Sequence, residues 1–245
     1  MNAPLNHFLK NIYSQNGEDG LIEELLLRMQ LPLSGGWCVE FGAWDGKHCS
    51  NTFALVQNNE WSAIFIEGDD SRFNDLLHTV QDHQKITPVL AFVDRFFGEP
   101  NCLDYLLAKT QIPKDFDLLS IDIDSYDLDI WESLEGYSAK IVVIEINSGI
   151  LPGVIWRHSP TTPGNTFTAT LNVGISKGYT LVCHTGNLIF VRNDYISKIN
   201  LDKKYLLCPE GLFSYKEISK DPFKVRQSAF AQHLKGFLKN LISKM

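Results

Sequence analysis

The sequence contains no apolar run approaching the roughly 20 residues that span a bilayer, so no membrane-crossing helix is expected from it. It contains no C-x-x-C pair. Its five cysteines (Cys38, Cys49, Cys102, Cys183 and Cys208) are scattered and odd in number. This points to reduced thiols rather than a disulfide framework or a cysteine-rich zinc site. Positive charge is also scarce: 22 Lys and Arg stand against 29 Asp and Glu, a net charge of −7. That balance argues against a general nucleic-acid binder, whose affinity comes from clustered cations. Residues 1–10 carry no basic segment followed by an apolar one, so a cytoplasmic chain without a secretory leader is expected. The G-x-G-x-x-G dinucleotide fingerprint is missing as well, and so are internal repeats and low-complexity linkers.

What is present is a conventional globular composition. Hydrophobic residues make up 44% and charged residues 21% of 245, enough for one large α/β domain or two small ones. Short β-rich apolar runs at 37–41, 62–66, 86–93, 116–121 and 140–146 alternate with helix-like stretches at 20–30, 51–58, 70–81, 102–109, 128–134 and 165–177. Near-continuous apolar strands separated by helices describe a parallel sheet covered on both faces. Two further strands, 179–183 and 188–192, lie close enough for a hairpin across His184-Thr185-Gly186-Asn187 and add an antiparallel edge. The expected fold is therefore a doubly wound, Rossmann-like α/β domain over 1–222, with an antiparallel terminal hairpin. Residues 223–245 carry five basic residues and no acid, with Phe230, Leu234, Phe237, Leu238 and Leu241 at helical spacing. A basic amphipathic helix is expected there, packed on its own domain or a second subunit in a homodimer; membrane-surface contact is the rarer use of such a pattern.

Ligands of doubly wound sheets sit beyond the carboxyl ends of the strands. Here those positions are acidic. After the first strand comes Glu40-Phe41-Gly42-Ala43-Trp44-Asp45-Gly46, where Glu40 is a candidate partner for a cationic amine and the glycines let backbone approach a ligand. After the second comes Glu67-Gly68, with a carboxylate suited to a ribose diol. After the third, Phe92-Val93-Asp94 suit an adenine, with Asp94 on its exocyclic amine. After the fourth and fifth come Asp122-Ile123-Asp124-Ser125-Tyr126-Asp127 and Glu145-Ile146-Asn147-Ser148. Strand alternation puts Asp122 and Asp124 on one side, and likewise Glu145 and Asn147. Carboxylates that close repel one another unless protonated or bound to a cation, and oxygen-only ligands favour Mg²⁺, Mn²⁺ or Ca²⁺.

On these residues the chain resembles the FkbM-like class I S-adenosylmethionine (SAM)-dependent methyltransferases. The carrying stretches are Tyr13-Ser14-Gln15-Asn16-Gly17-Glu18-Asp19, Val39-Glu40-Phe41-Gly42-Ala43-Trp44-Asp45-Gly46 with Ser50-Asn51-Thr52, Ile66-Glu67, and Ser120-Ile121-Asp122-Ile123-Asp124. The resemblance covers roughly residues 13–192. It implies a seven-stranded sheet of order 3-2-1-4-5-7-6. It implies that Gly42, Ala43, Asp45 and Gly46 cradle the methionine end of SAM and that Glu67 holds the ribose. Tyr13, Gln15, Ser50, Asn51 and Asp122 become further cofactor contacts.

The stretch Asp122-Ile123-Asp124-Ser125-Tyr126 is also similar to the D-x-D-x-Y of macrocin-type sugar O-methyltransferases. That similarity implies Asp122, Glu145 and Asn147 as ligands of Mg²⁺ or Mn²⁺, and a sugar or glycan-precursor acceptor. The chain departs from that type in having Glu145-Ile146-Asn147 where paired aspartates are usual. It departs from many class I enzymes in having Trp44 in place of a second glycine.

Methylating a hydroxyl needs a base, and Asp124, His158 and His184 are the candidates. Arg157 is a candidate partner for an anionic acceptor. A metal-independent methyltransferase of a small non-sugar acceptor and a non-catalytic binding protein on the same fold remain as alternatives.

Overall fold

The computed structural model describes residues 4–214; the basic helix expected over 223–245 lies outside them. Seven strands form one sheet: β1 Trp37–Phe41, β2 Ser62–Glu67, β3 Ile86–Leu90, β4 Asp115–Ile121, β5 Ser138–Glu145, β6 Tyr179–His184 and β7 Asn187–Arg192. Their order is β3-β2-β1-β4-β5-β7-β6, the order that the family resemblance implies. β7 pairs antiparallel with both β5 and β6; every other pairing is parallel. The order reverses between β1 and β4, the position at which doubly wound sheets bind their ligands.

Six helices flank the sheet: α1 Glu18–Met29, α2 Phe53–Asn59, α3 Asp70–Gln81, α4 Leu103–Ala108, α5 Asp127–Ser133 and α6 Phe167–Ser176. Strand alternation divides the core into two layers. The row Val39, Ile64, Leu119, Val142 and Phe190 runs in register across five strands and packs under α4, α5 and α6. The alternate residues Cys38, Ala63, Phe65, Leu118, Val143 and Ile189 pack under α1, α2 and α3. Both faces are dry, which is why the parallel strands read as continuous apolar runs.

Side-chain caps start two of these six helices. Asp69 accepts from the Ser71 and Arg72 amides ahead of α3, and Thr166 accepts from the Ala169 amide ahead of α6. Two elements differ notably from expectation. β3 stops at Leu90, so residues 91–94 form an irregular segment rather than its end. The hairpin turn shrinks to Thr185-Gly186, because β6 runs through His184 and β7 begins at Asn187. All five cysteines are free. Among the described residues no helix is long and apolar enough to cross a membrane.

Candidate active site

The β1 loop turns where glycine alone fits. Gly42 has φ +80°, and a Cβ there would stand 1.7 Å from the Asp122 carbonyl oxygen. Its amide and that of Ala43 donate to the Ile66 carbonyl, while the Asp122 amide donates to the Phe41 carbonyl. The three carboxyl ends of β1, β2 and β4 are thereby laced together at the switch point. Gly46 (φ +77°) lies against Leu76 of α3. Trp44 between them is left-handed (φ +49°) and partly exposed, beside Arg72 and edge-on to His48. Asp45 accepts from the Lys47 and His48 amides and closes the loop locally.

Two of the predicted acids hold the loops. Glu67 is 5% exposed; one oxygen accepts from the Trp44 amide and the other from the Gly68 and Asp69 amides, all at 2.8 Å. A carboxylate oxygen has two lone pairs, so the oxygen facing Trp44 retains one acceptor site. Glu40, also 5% exposed, turns sideways rather than outward. It accepts from Ser50 Oγ at 2.6 Å, Thr52 Oγ1 at 2.5 Å and the Asn51 amide at 3.0 Å. Asn51 Nδ2 in turn reaches Ser120 Oγ at 3.1 Å. Burial pushes the Glu40 carboxyl up, against the hydrogen bonds that lower it. Strand parity explains the direction: Glu40 shares the Cys38 side of β1, under α1–α3. Glu40, Ser50 and Asn51 thus meet one another in a buried network that fixes the start of α2.

The segment ahead of α1 closes over the same edge. Asp19 Oδ2 accepts from the amides of Ile12, Tyr13 and Ser14 and from Ser14 Oγ. Glu18, fully buried, accepts from Thr185 Oγ1, Asn187 Nδ2 and the Asn16 amide. The Tyr13 hydroxyl donates to Gln57 Oε1 and its ring stands edge-on to Phe53, while Gln15 is exposed. The segment therefore bridges α2 and the β6–β7 turn. After β3, Phe92 is 78% exposed and its ring lies over Gly68; Val93 packs on the core, and Asp94 accepts from the Asn101 amide.

The acids after β4 and β5 converge. Ile121 pairs with Ile144, so Asp122 and Glu145 are the next rung on neighbouring parallel strands. Asp124 turns back through a left-handed residue (φ +57°). One oxygen from each of Asp122, Asp124 and Glu145 lies within 4.8 Å of the others. Burial, and then the charge of Asp127, raises Asp122 to about 7. Burial, and then the charges of Asp122 and Asp124, raises Glu145 to about 9. The two carboxyls face one another from neighbouring strands.

Asp127, 2% exposed, accepts from the Ile123 and Ser125 amides and pins the loop from inside. Beside the cluster is a cavity of about 290 Å³, whose walls include Asp124, Glu145, Asn147, Ser148, Gly164 and Asn165. Asn147 lines it, but its amide is engaged with the Gly149 amide and the Pro163 carbonyl. Asp124 joins Asp122 and Glu145 in the converging set, and Asn147, expected as the third ligand, lines the cavity beside Glu145.

Both histidines expected as bases have Nδ1 engaged by a backbone amide. His184 is buried at the end of β6 rather than exposed in a turn; its Nδ1 accepts from the Ser214 amide and its Nε2 meets Ser148 Oγ. An imidazole that accepts at Nδ1 carries its proton on Nε2 when neutral, so His184 donates towards Ser148, which donates to the Gly186 carbonyl at 3.0 Å. His158 Nδ1 accepts from the Gly164 amide at 3.2 Å, which likewise leaves Nε2–H as a donor. Arg157, the candidate partner for an anionic acceptor, is paired with Asp129 and Glu132.

Sequence reasoning did not single out Asp127, Asn165 or Ser148 as parts of this site. Asn165 accepts from the His158 amide and donates to the Ser125 carbonyl, tying two loops distant in sequence. Only the helix-initiating position of Asp127 gave a local signal.

No protein-family model matches this chain, and no curated protein sequence matches it. Among solved structures it is similar to M. capricolum TrmK in complex with S-adenosyl-homocysteine (SAH), at 13% identity and TM-score 0.46 over 91% of this chain and 87% of that one. It is similar to the CurJ carbon methyltransferase at 13% identity and TM-score 0.49, over 74% of this chain and 56% of that one. It is similar to the N-terminal domain of EvdMO1, in the presence of SAH and D-fucose, at 10% identity and TM-score 0.46, over 73% and 82%. The fold assignment rests on the strand order above.

Proposed function

We propose that this chain is a SAM-dependent O-methyltransferase of the FkbM-like type, acting on a sugar or glycoconjugate precursor with the help of a divalent cation. The observation that carries this reading is the convergence of Asp122, Asp124 and Glu145 beside the Gly42 turn, at the switch point of the sheet. The backbone of 42–46 cradles the amino-acid end of SAM, the free acceptor site of Glu67 takes a ribose hydroxyl, and Phe92 over Gly68 forms a platform for adenine. The donor set fits Mg²⁺ or Mn²⁺: all ligands are oxygens, and two of the carboxyls are held up towards protonation where no cation neutralises them. Asp122, Glu145 and Asp124 would hold the ion, with Asn147 at the cavity wall. When bound, it would lower the pKa of the acceptor hydroxyl.

The residues of the chain then supply alignment and a proton acceptor. In-line displacement forms the new C–O bond as the sulfonium C–S bond breaks. Fixing both partners recovers much of the entropic cost of bringing them together. Asp124 is the exposed member of the cluster; a carboxylate bound through one oxygen keeps the other for the hydroxyl proton. His158 and His184, with Nε2–H as donors, orient neighbours rather than take the proton.

Calorimetry tests the cofactor half: SAM and SAH are expected to bind the wild type, and Glu67→Ala to weaken both at least tenfold. Methyl transfer to a panel of sugars tests the rest, with activity expected to vanish in EDTA and return with Mg²⁺ or Mn²⁺. No heat with either nucleoside removes the reading; full activity after chelation removes the metal.

A further inference from the structure

Asp127 opens α5, yet its carboxylate serves the chain behind it. An aspartate at a helix start ordinarily accepts from amides of its own helix. Asp127 accepts instead from the Ile123 amide with Oδ1 and from the Ser125 amide with Oδ2, both at 2.8 Å. These amides belong to the residues on either side of Asp124. Asp124 is left-handed (φ +57°), so the chain turns back there onto a single carboxylate. Both ends of the turn are held as well. The Asp122 amide donates to the Phe41 carbonyl at 3.2 Å, and the Ser125 carbonyl accepts from Asn165 Nδ2 at 3.3 Å. Asp127 and Asn165 line the same cavity as Asp124 and Glu145.

A left-handed residue other than glycine persists only where its surroundings over-determine it. A carboxylate of this size can do so, because both of its oxygens accept; an asparagine would turn an N–H towards one of the two amide donors. Asp127 is 2% exposed, so water does not compete for either bond. The φ of Asp124 sets the direction of its Cβ, and with it the oxygen that lies within 4.8 Å of those of Asp122 and Glu145. A fourth carboxylate buried beside three others adds charge repulsion. Ordinary turns are closed by an uncharged serine or asparagine without that cost.

We propose that Asp127 is a positioning residue for the cation site: its two hydrogen bonds fix the left-handed turn that brings Asp124 to Asp122 and Glu145. This rests on the cluster being the site of a divalent cation, as in the function proposed above. Asp127 touches neither cation nor acceptor in this role; it acts through Asp124.

The test is a double-mutant cycle read by Mn²⁺ binding, with free Mn²⁺ followed by electron paramagnetic resonance on the full chain at pH 8. The four proteins are wild type, Asp127→Asn, Asp124→Gly and the double variant. Asp124→Gly keeps the positive φ and removes the ligand. Asp127→Asn loses one of the two bonds and also a negative charge. The missing charge weakens the cation in both backgrounds, whereas a role through Asp124 counts only where Asp124 is present. Asp127→Asn is therefore expected to lower Mn²⁺ affinity by about tenfold more in wild type than in Asp124→Gly. Asp127→Glu keeps the charge but moves the oxygens, and is expected to weaken Mn²⁺ by about tenfold as well. SAH affinity, measured in parallel by calorimetry, should stay within twofold of wild type in every variant. Equal effects of Asp127→Asn in the two backgrounds, or wild-type Mn²⁺ affinity in Asp127→Glu, overturn the proposal. Loss of SAH binding in both Asp127 variants also overturns it, because it would assign the carboxylate to the fold at large. If wild type binds Mn²⁺ and the cycle shows no coupling, this proposal alone fails; if wild type binds no Mn²⁺, the cation reading fails with it.

Discussion

Gly42 is where backbone conformation and crowding make the same demand. Its φ of +80° suits glycine, and the Asp122 carbonyl occupies the space of any Cβ. Gly42→Ala is expected to cost about 1–3 kcal/mol from the conformation alone, and more from pushing β4 away from β1. Urea denaturation should show a lower midpoint with an unchanged slope, and a midpoint equal to wild type would count against the assigned geometry. The glycine was legible in the sequence as a strand-end turn; the reason for it was not, because Asp122 lies 80 residues further on. Glu40 teaches the same thing differently. Its position at a strand end was readable, but strand parity turns its carboxylate onto Ser50, Asn51 and Thr52 instead of into the crevice.

At the scale of elements, α1 and the segment before it depend on two acids in the first turn of the helix. A helix dipole favours acids there, and that account predicts solvent exposure. Both are buried instead. Asp19 gathers the backbone of residues 12–14, and Glu18 ties the segment to the β6–β7 turn. Glu18→Ala leaves the amide of Asn16, the hydroxyl of Thr185 and the amide of Asn187 without their acceptor. Each such loss costs about 1–3 kcal/mol where the group stays buried. Hydrogen exchange should accelerate in residues 11–18 and around 185–187, while the β1–β4 amides keep their protection. Uniform acceleration across the sheet would show that the contact supports the whole domain rather than this strap.

At the scale of the molecule, the acidic cluster couples stability to pH and to cations. Asp122 and Glu145 are raised to about 7 and about 9, whereas unfolded carboxyls titrate near 4. A group whose folded value is raised binds its proton more tightly in the native state. The pair's contribution is therefore most favourable below about pH 4 and is lost progressively as pH rises through 7 to 9. The thermal midpoint should fall from pH 6 to pH 9 by more in wild type than in Glu145→Gln, which removes one carboxylate from the pair. Mn²⁺ should raise the midpoint more at pH 8 than at pH 6, because at the lower pH it must displace a proton. A Mn²⁺ effect independent of pH would separate the ion from these two residues.

The sequence by itself determined the layering of this protein: alternating apolar runs and helical stretches, with acids at the strand ends, follow from hydrophobic periodicity and position, which are local. Tertiary structure decided which acids face one another. Asp122 meets Glu145 because parallel register sets neighbouring rungs side by side, and Asp124 joins them through a left-handed turn. Glu40 and His184 are withdrawn from the crevice because packing supplies them with partners 10 to 36 residues away. A side chain's chemistry is written in its type, but whether its lone pairs and charge remain for a ligand depends on what the fold has already placed against it.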